Sequence, residues 1–308
     1  MQKEIKCRNC RENPVITIYE NKRKLCRKHF LEYFEKKVRR TVRLNDFFDK
    51  GEHILVAFSG GKDSTTALFL MNKIAKERKA KVSAITIDTS IGDYAKKNLT
   101  NARKFCRQEK IRLYEVSIKK EFGKTLAEIV SLLKSKEYEQ GYCTVCGILR
   151  RNLLNRKAKE LKATKVVTGH NLDDEAQSIL MNIFKNHVNV MARLGPKSAE
   201  LKGFVPRIKP LYFMTEQEVV AFSKQMKFPV LYEKCPHVVD AFRKEVRNML
   251  NDFDGKYAGT KHSIVASFLE MVPMLRKKYS GKLRVCKSCG EPAANELCKC
   301  CEMIGKIK

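Results

Sequence analysis

The stretch HILVAFSGGKDSTTALFL, residues 53–70, runs from a short apolar strand through a glycine pair into a helix. Its first half is aliphatic and β-branched, as a buried strand requires, and its second half carries apolar residues at helical spacing. Gly60 and Gly61 let the backbone turn sharply and aim bare N–H groups at an anion. The helix beginning near Asp63 adds the positive end of its dipole. Ser59 and Ser64 offer hydroxyls and Lys62 a charge. The spacing matches neither G-x-x-x-x-G-K-[ST] nor G-x-G-x-x-G, so this phosphate cradle is of another kind.

The same alternation continues outward. KVSAITID (81–88) and KVVTGH (165–170) are short apolar runs, and 63–78 and 172–187 are helical stretches. Strands separated by helices imply βαβ units and a parallel sheet covered on both faces. The expected α/β domain spans 51–280. A basic amphipathic stretch, 30–48, reads as a helix, with a linker over 33–50 joining the domain to a cysteine-bearing block at 1–32. A second such block lies at 284–303.

Both terminal blocks have metal-ligand spacing. Cys7, Cys10, Cys26 and His29 read CxxC, fifteen residues, CxxH, and Cys286, Cys289, Cys298 and Cys301 read CxxC, eight residues, CxxC. Two such half-sites close a tetrahedron around Zn²⁺, and blocks this poor in apolar sequence need the metal to fold. Cys300 sits inside the last half-site and leaves its register ambiguous; the two-residue gap favours Cys298 with Cys301.

Lys and Arg number 63 against 34 Asp and Glu, a net charge of +29. An excess of one sign on that scale points to a polyanionic partner, nucleic acid first. The start of the chain is charged and polar, and no run approaches the ~18 apolar residues of a membrane span. A cytoplasmic protein without membrane attachment is expected, in which twelve cysteines serve metals or redox chemistry rather than disulfides.

Ser59-Gly60-Gly61-Lys62-Asp63-Ser64 resembles the pyrophosphate loop of the ATP-pyrophosphatase superfamily, and TGHNLDDEAQ (168–177) is similar to its second nucleotide motif. With a CxxC, a later single cysteine and metal knuckles at both ends, the chain resembles the tRNA 2-thiouridine synthetases. That group contains T-loop 5-methyluridine 2-sulfurtransferases and anticodon wobble-uridine thiolases. The resemblance implies a PP-loop, Rossmann-type domain between two zinc fingers. It also implies ATP lying over Ala57, Ser59 to Ser64 and Ile87, with Gly169 closing over it. Asp63 is a candidate Mg²⁺ ligand, and Asp174 carries a catalytic or metal-positioning role. For Asp173, stabilisation of a helix N-terminus suffices.

GYCTVC, residues 141–146, holds a lone CxxC. A reversible disulfide, a persulfide carrier and an iron–sulfur site all use such a pair. A cluster needs a third ligand, and Cys235 is the suitable one, since Cys106 lies mid-helix as a small core residue. In the resembling family, three cysteines hold a [4Fe–4S] cluster with one iron open to sulfide, and Cys143, Cys146 and Cys235 match that pattern.

Arg150 and Arg151 follow the CxxC, and Arg243 and Arg247 sit at i,i+4 spacing in DAFRKEVRNML. Each pair can face tRNA or simply solvent. The resemblance further implies homodimerisation and a ubiquitin-like thiocarboxylate protein or sulfide as sulfur donor. A lysidine or amide synthetase shares the phosphate loop but has no use for the three cysteines. A zinc-ribbon RNA-binding protein accounts for the termini and charge but not the loop.

Overall fold

A computed structural model describes residues 6–18, 21–138, 140–233, 235–237, 241–279 and 284–307. A small hairpin, β1 (Ile16–Ile18) with β2 (Arg23–Leu25), leads into α1 (Arg27–Leu44). Then come β3 (His53–Ala57), α2 (Lys62–Glu77), β4 (Lys81–Asp88), α3 (Gly92–Gln108), β5 (Arg112–Ser117), α4 (Ile118–Phe122), α5 (Leu126–Ser135) and α6 (Tyr142–Glu160). The second half of the domain comprises β6 (Lys165–Val167), α7 (Leu172–Phe184), α8 (Val188–Met191), β7 (Arg207–Ile208), α9 (Glu216–Gln225), α10 (Ala241–Lys256) and α11 (Thr260–Lys278). A hairpin of β8 (Arg284–Val285) and β9 (Pro292–Ala293) and a short α12 (Lys299–Gly305) close the chain.

Five strands form one parallel sheet in the order β5-β4-β3-β6-β7. Ile54, Leu55 and Val56 of the central strand β3 are fully buried, because helices cover both faces. The chain leaves β3 towards β4 on one side and later returns to β6 on the other. The carboxyl ends of β3 and β6 therefore flank the switch point, where open α/β sheets bind their ligands. Both nucleotide motifs leave the sheet there.

The helix expected over 30–48 runs instead from Arg27 to Leu44. It starts inside the N-terminal cysteine block, with His29 in its first turn, and stops before the expected linker boundary at 50. Phe30, Phe34, Val38 and Val42 recur every four residues and are all fully buried. This stripe packs on α9, where the Phe34 and Phe222 rings stack with centroids 4.2 Å apart. Glu218 accepts from Tyr33 Oη at 2.9 Å and Lys37 Nζ at 3.2 Å across the same contact. The helix thus forms part of the domain core rather than a spacer.

The C-terminal block is likewise docked. Glu291 is buried in its hairpin and accepts from Asn155 Nδ2, while Lys159 Nζ approaches it at 2.5 Å. Asn152 Nδ2 faces Cys298 Sγ at 4.0 Å. All three partners lie on the second half of α6. The expected domain end at residue 280 lies outside the described residues. Among the described residues no helix is long and apolar enough to cross a membrane.

Candidate active site

Between β3 and α2 the loop takes the shape its sequence demands. Gly60 has φ +80°, and a Cβ there would stand 2.6 Å from the Asn98 carbonyl oxygen, so only glycine fits. Ser64 Oγ donates to the Gly61 carbonyl at 3.1 Å and accepts from the Ser59 N–H at 3.2 Å. Gly61 caps α2 with no side-chain hydrogen bond, which leaves the first amides of the helix directed at incoming anion.

The second motif closes directly over this loop. A Cβ on Gly169 would lie 2.8 Å from Asp63 C and Ser64 N, a separation that only a glycine permits. Asn171 caps α7 in a reciprocal box with Asp174 and also donates from Nδ2 to Asp63 Oδ1 at 3.0 Å. Lys62 Nζ reaches Asp63 Oδ2 at 2.8 Å and Glu216 Oε1 at 3.2 Å. Asp173, by contrast, is committed to structure. It accepts from the Glu216 N–H at 2.7 Å and from Lys261 Nζ at 2.5 Å.

Asp63 and Asp174 face the same space. Burial raises both carboxyls; Lys62 opposes the rise at Asp63, and Arg243 opposes it at Asp174. The two carboxylates also repel each other, since Asp174 raises Asp63 further. Two carboxylates held together near a phosphate cradle suit a hard divalent cation, which takes oxygen ligands and relieves that repulsion. Ala57 and Ile87 lie at the carboxyl ends of β3 and β4, half-buried at the rim.

Cys235, distant in sequence, comes near enough to Cys146 and Cys143 for their charges to interact, although among the described residues the three do not close into a ligand set as compact as those at the termini. Cys143 and Cys146 occupy the first turns of α6, with Val145, Leu149 and Leu153 anchoring its buried side. The segment carrying Cys235 is brought in by three contacts. Leu231 pairs with Gly61 in a parallel bridge, Tyr142 stacks on His237 at 3.9 Å between centroids, and Cys143 Sγ donates to the His237 carbonyl at 3.3 Å. Burial raises the Cys146 thiol, Arg150 opposes the rise, and Cys235 and Cys143 add to it. Neighbouring thiols that hinder one another's ionisation are the donor set a positively charged metal centre relieves. Cys106 is 3% exposed in α3, and burial pushes its thiol up to about 12.

At each end of the chain the ligand atoms of Cys7, Cys10, Cys26 and His29, and of Cys286, Cys289, Cys298 and Cys301, lie within 4.8 Å of one another. Cys10 and Cys26 Sγ are 3.6 Å apart, as are Cys289 and Cys298 Sγ. A tetrahedron with Zn–S bonds of ~2.3 Å has edges of ~3.8 Å, so both sets fit zinc closely. Burial raises the Cys286 thiol, but the N–H groups of Cys298, Cys289 and Ser288 outweigh it and bring it to about 6. Cys300 is buried beside the set, and burial pushes its thiol up to about 12.

Arg150 and Arg151 border the cysteine centre. Arg243 points inward: Nη2 donates to Asp174 Oδ1 at 3.0 Å and Nε to Gln177 Oε1 at 3.1 Å. Arg247, one turn further along α10, takes no part in that network. His170 and Asn171 lie inside the second nucleotide motif without being singled out there, and Glu216 carried no signal of its own in the sequence. Asn171 was findable as an N-cap three residues before Asp174.

Fold and site together define an ATP-using PP-loop protein with an added thiol centre. Residues 31–252 match the PP-loop domain family. The tRNA-5-methyluridine(54) 2-sulfurtransferase of Pyrococcus horikoshii is 32% identical over 305 residues, spanning 99% of this chain and 95% of that protein. The tRNA 2-thiolation protein NcsA of Haloferax volcanii is 31% identical over 322 residues, 99% of each. The solved U34-tRNA thiolase NcsA of Methanococcus maripaludis, determined with its [4Fe–4S] cluster, superposes with a TM-score of 0.83 at 30% identity, covering 97% of this chain and 95% of that one. The chain belongs to the tRNA 2-thiolation family of PP-loop proteins.

Proposed function

We propose that this protein is an ATP-dependent tRNA sulfurtransferase that adenylates the C2 oxygen of a uridine, the T-loop 5-methyluridine, and replaces it with sulfur. The observation that carries this reading is the Gly61–Leu231 bridge, which ties the segment leading to Cys235 directly to the phosphate loop. An amide-forming ligase uses the loop and has no role for the thiols.

The chemistry follows from the geometry. The uridine C2 oxygen attacks the α-phosphorus of ATP and pyrophosphate leaves towards the amides of Gly60 and Gly61, Lys62 and the α2 N-terminus. Fixed dipoles there stabilise the departing charge without reorganising. Asp63 and Asp174, oriented by Asn171 and Arg243, would hold Mg²⁺, which would supply positive charge to the phosphates. Hydrosulfide sulfur then attacks C2, the C2–O bond breaks, and the oxygen leaves on AMP. Cys143, Cys146 and Cys235 would hold a [4Fe–4S] cluster, which would supply a site for the incoming sulfide. The two terminal sets hold structural Zn²⁺. The +29 charge supports tRNA as substrate. Sulfide or a ubiquitin-like thiocarboxylate protein is the donor, the working form is a homodimer, and the compartment is the cytoplasm.

The test is nucleoside mass spectrometry of tRNA incubated with anaerobically prepared enzyme, ATP and sulfide, followed by mapping of the modified position. Thiouridine formed only with ATP is expected in the T-loop; thiolation confined to the wobble position moves the substrate to the anticodon. Cys235→Ala is expected to abolish visible charge-transfer absorption while two zinc ions per chain remain. Wild-type protein that never shows such absorption, yet thiolates tRNA, replaces the cluster with a persulfide at the same thiols.

A further inference from the structure

Lys62 is the charge of the phosphate loop, and two carboxylates share it. Its Nζ stands 2.8 Å from Asp63 Oδ2 and 3.2 Å from Glu216 Oε1. Glu216 opens α9, outside both nucleotide motifs.

The two partners are held differently. Asp63 accepts from Asn171 Nδ2 at 3.0 Å on its other oxygen, and its side chain is 28% exposed. Glu216 has a fixed backbone and a loose carboxylate. Its N–H donates to Asp173 Oδ2 at 2.7 Å, and Lys261 Nζ reaches Asp173 Oδ1 at 2.5 Å. The same ammonium donates to Asn251 Oδ1 at 2.7 Å. Thr215 and Glu218 form a reciprocal capping box around the start of α9. The Glu216 side chain is nevertheless 48% exposed, and among the described residues Lys62 is the one partner of its carboxylate. Side chains from α7, α10 and α11 therefore secure the base of a residue whose tip meets Lys62 alone.

That arrangement sets up a competition. A lysine ammonium has three N–H donors on a flexible stem, and a triphosphate or pyrophosphate offers it several highly charged acceptors. To turn towards phosphate, Lys62 gives up a carboxylate. The half-exposed Glu216 is the easier one to release, because water takes over its solvation.

We propose that Glu216 is a positioning residue that exchanges Lys62 with the phosphates, yielding the ammonium to ATP and taking it back as pyrophosphate departs. The inference rests on the adenylation reading above, in which pyrophosphate leaves towards Lys62. Amides, a helix N-terminus and a lysine that kept their full grip on pyrophosphate would trap the product. A carboxylate anchored within reach of that lysine loosens the grip once the bond between the α- and β-phosphates has broken.

The experiment measures calorimetric Kd values for ATP, pyrophosphate and AMP, each with Mg²⁺, in wild type, Glu216→Gln, Glu216→Asp, Lys62→Met and the Lys62→Met/Glu216→Gln double variant. Glu216→Gln is expected to lower the Kd for ATP and for pyrophosphate about threefold to fivefold and to leave that for AMP unchanged. Glu216→Asp keeps the charge with a shorter reach and should fall in between. In the Lys62→Met background, Glu216→Gln should change nothing, because the exchange needs the ammonium. Unchanged or weaker binding of ATP and pyrophosphate by Glu216→Gln overturns the proposal. So does a gain shared by AMP, or one that persists without Lys62, since either shows a general repulsion of anions. None of these measurements uses tRNA, so failure of the thiolation reading is seen separately, as a wild-type enzyme that forms no thiouridine.

Discussion

Arg243 on α10 donates to Asp174 Oδ1 at 3.0 Å, joining the helix after the cysteine segment to the acid of the second nucleotide motif. The contact sets the direction of Asp174 and favours its ionised form against burial. Arg243→Met is expected to lower kcat at least tenfold while leaving the KM for tRNA within about twofold, and Arg243→Lys to restore part of the loss. A variant that loses tRNA affinity at full kcat would place Arg243 in RNA binding instead.

Asp63 and Asp174 both titrate above their ordinary value, because burial penalises the carboxylate. A cation needs the deprotonated forms, so the rate is full on the alkaline side and falls as pH drops through these raised values. The acid limb is therefore expected above the ~3.9 of a free aspartate. Asp174→Asn should abolish turnover at every pH, and a residual rate with an unshifted acid limb refutes the assignment.

Gly169→Ala forces a methyl group into the backbone of Asp63 and Ser64. Because the obstacle is backbone, the loop over the phosphate site has to open. ATP affinity measured calorimetrically is expected to drop at least tenfold, with the two zinc ions retained. Near-normal ATP binding by the variant would show that the loop gives way cheaply.

Thiol reactivity should divide sharply. Cys106 stays protonated at pH 8, since its raised value of about 12 leaves the thiolate scarce, and its exposure is 3%. Cys143 is exposed. Alkylation of the native cluster-free protein, read by peptide mass spectrometry, is expected to label Cys143 and spare Cys106.

Phe34 lies fully buried against Phe222. Phe34→Ala is expected to cost about 3–5 kcal/mol in denaturant unfolding. A loss below ~1 kcal/mol would mean that α1 behaves as a spacer after all.

The phosphate loop, the second motif and both metal sets were legible because each compresses its chemistry into fewer than thirty consecutive residues. The buried central strands were legible for a related reason, since burial on both faces writes an unbroken apolar run. Edge strands β5 and β7 were not: Arg112 and Glu115 face solvent, and Arg207–Ile208 is too short to carry a pattern. Arg243 read as a surface cation because nothing local marks the acid across the domain that it serves.

Helix α6 carries the thiols on its first turns, while its second half is held by Glu291 and the C-terminal hairpin. Cys286 follows Cys146 by 140 residues, so during synthesis the thiols emerge long before their support does. At ~5–20 residues per second the interval is on the order of ten seconds. Cys235 emerges in between, so the third thiol and the hairpin that holds the far half of α6 are both supplied by chain made well after the CxxC.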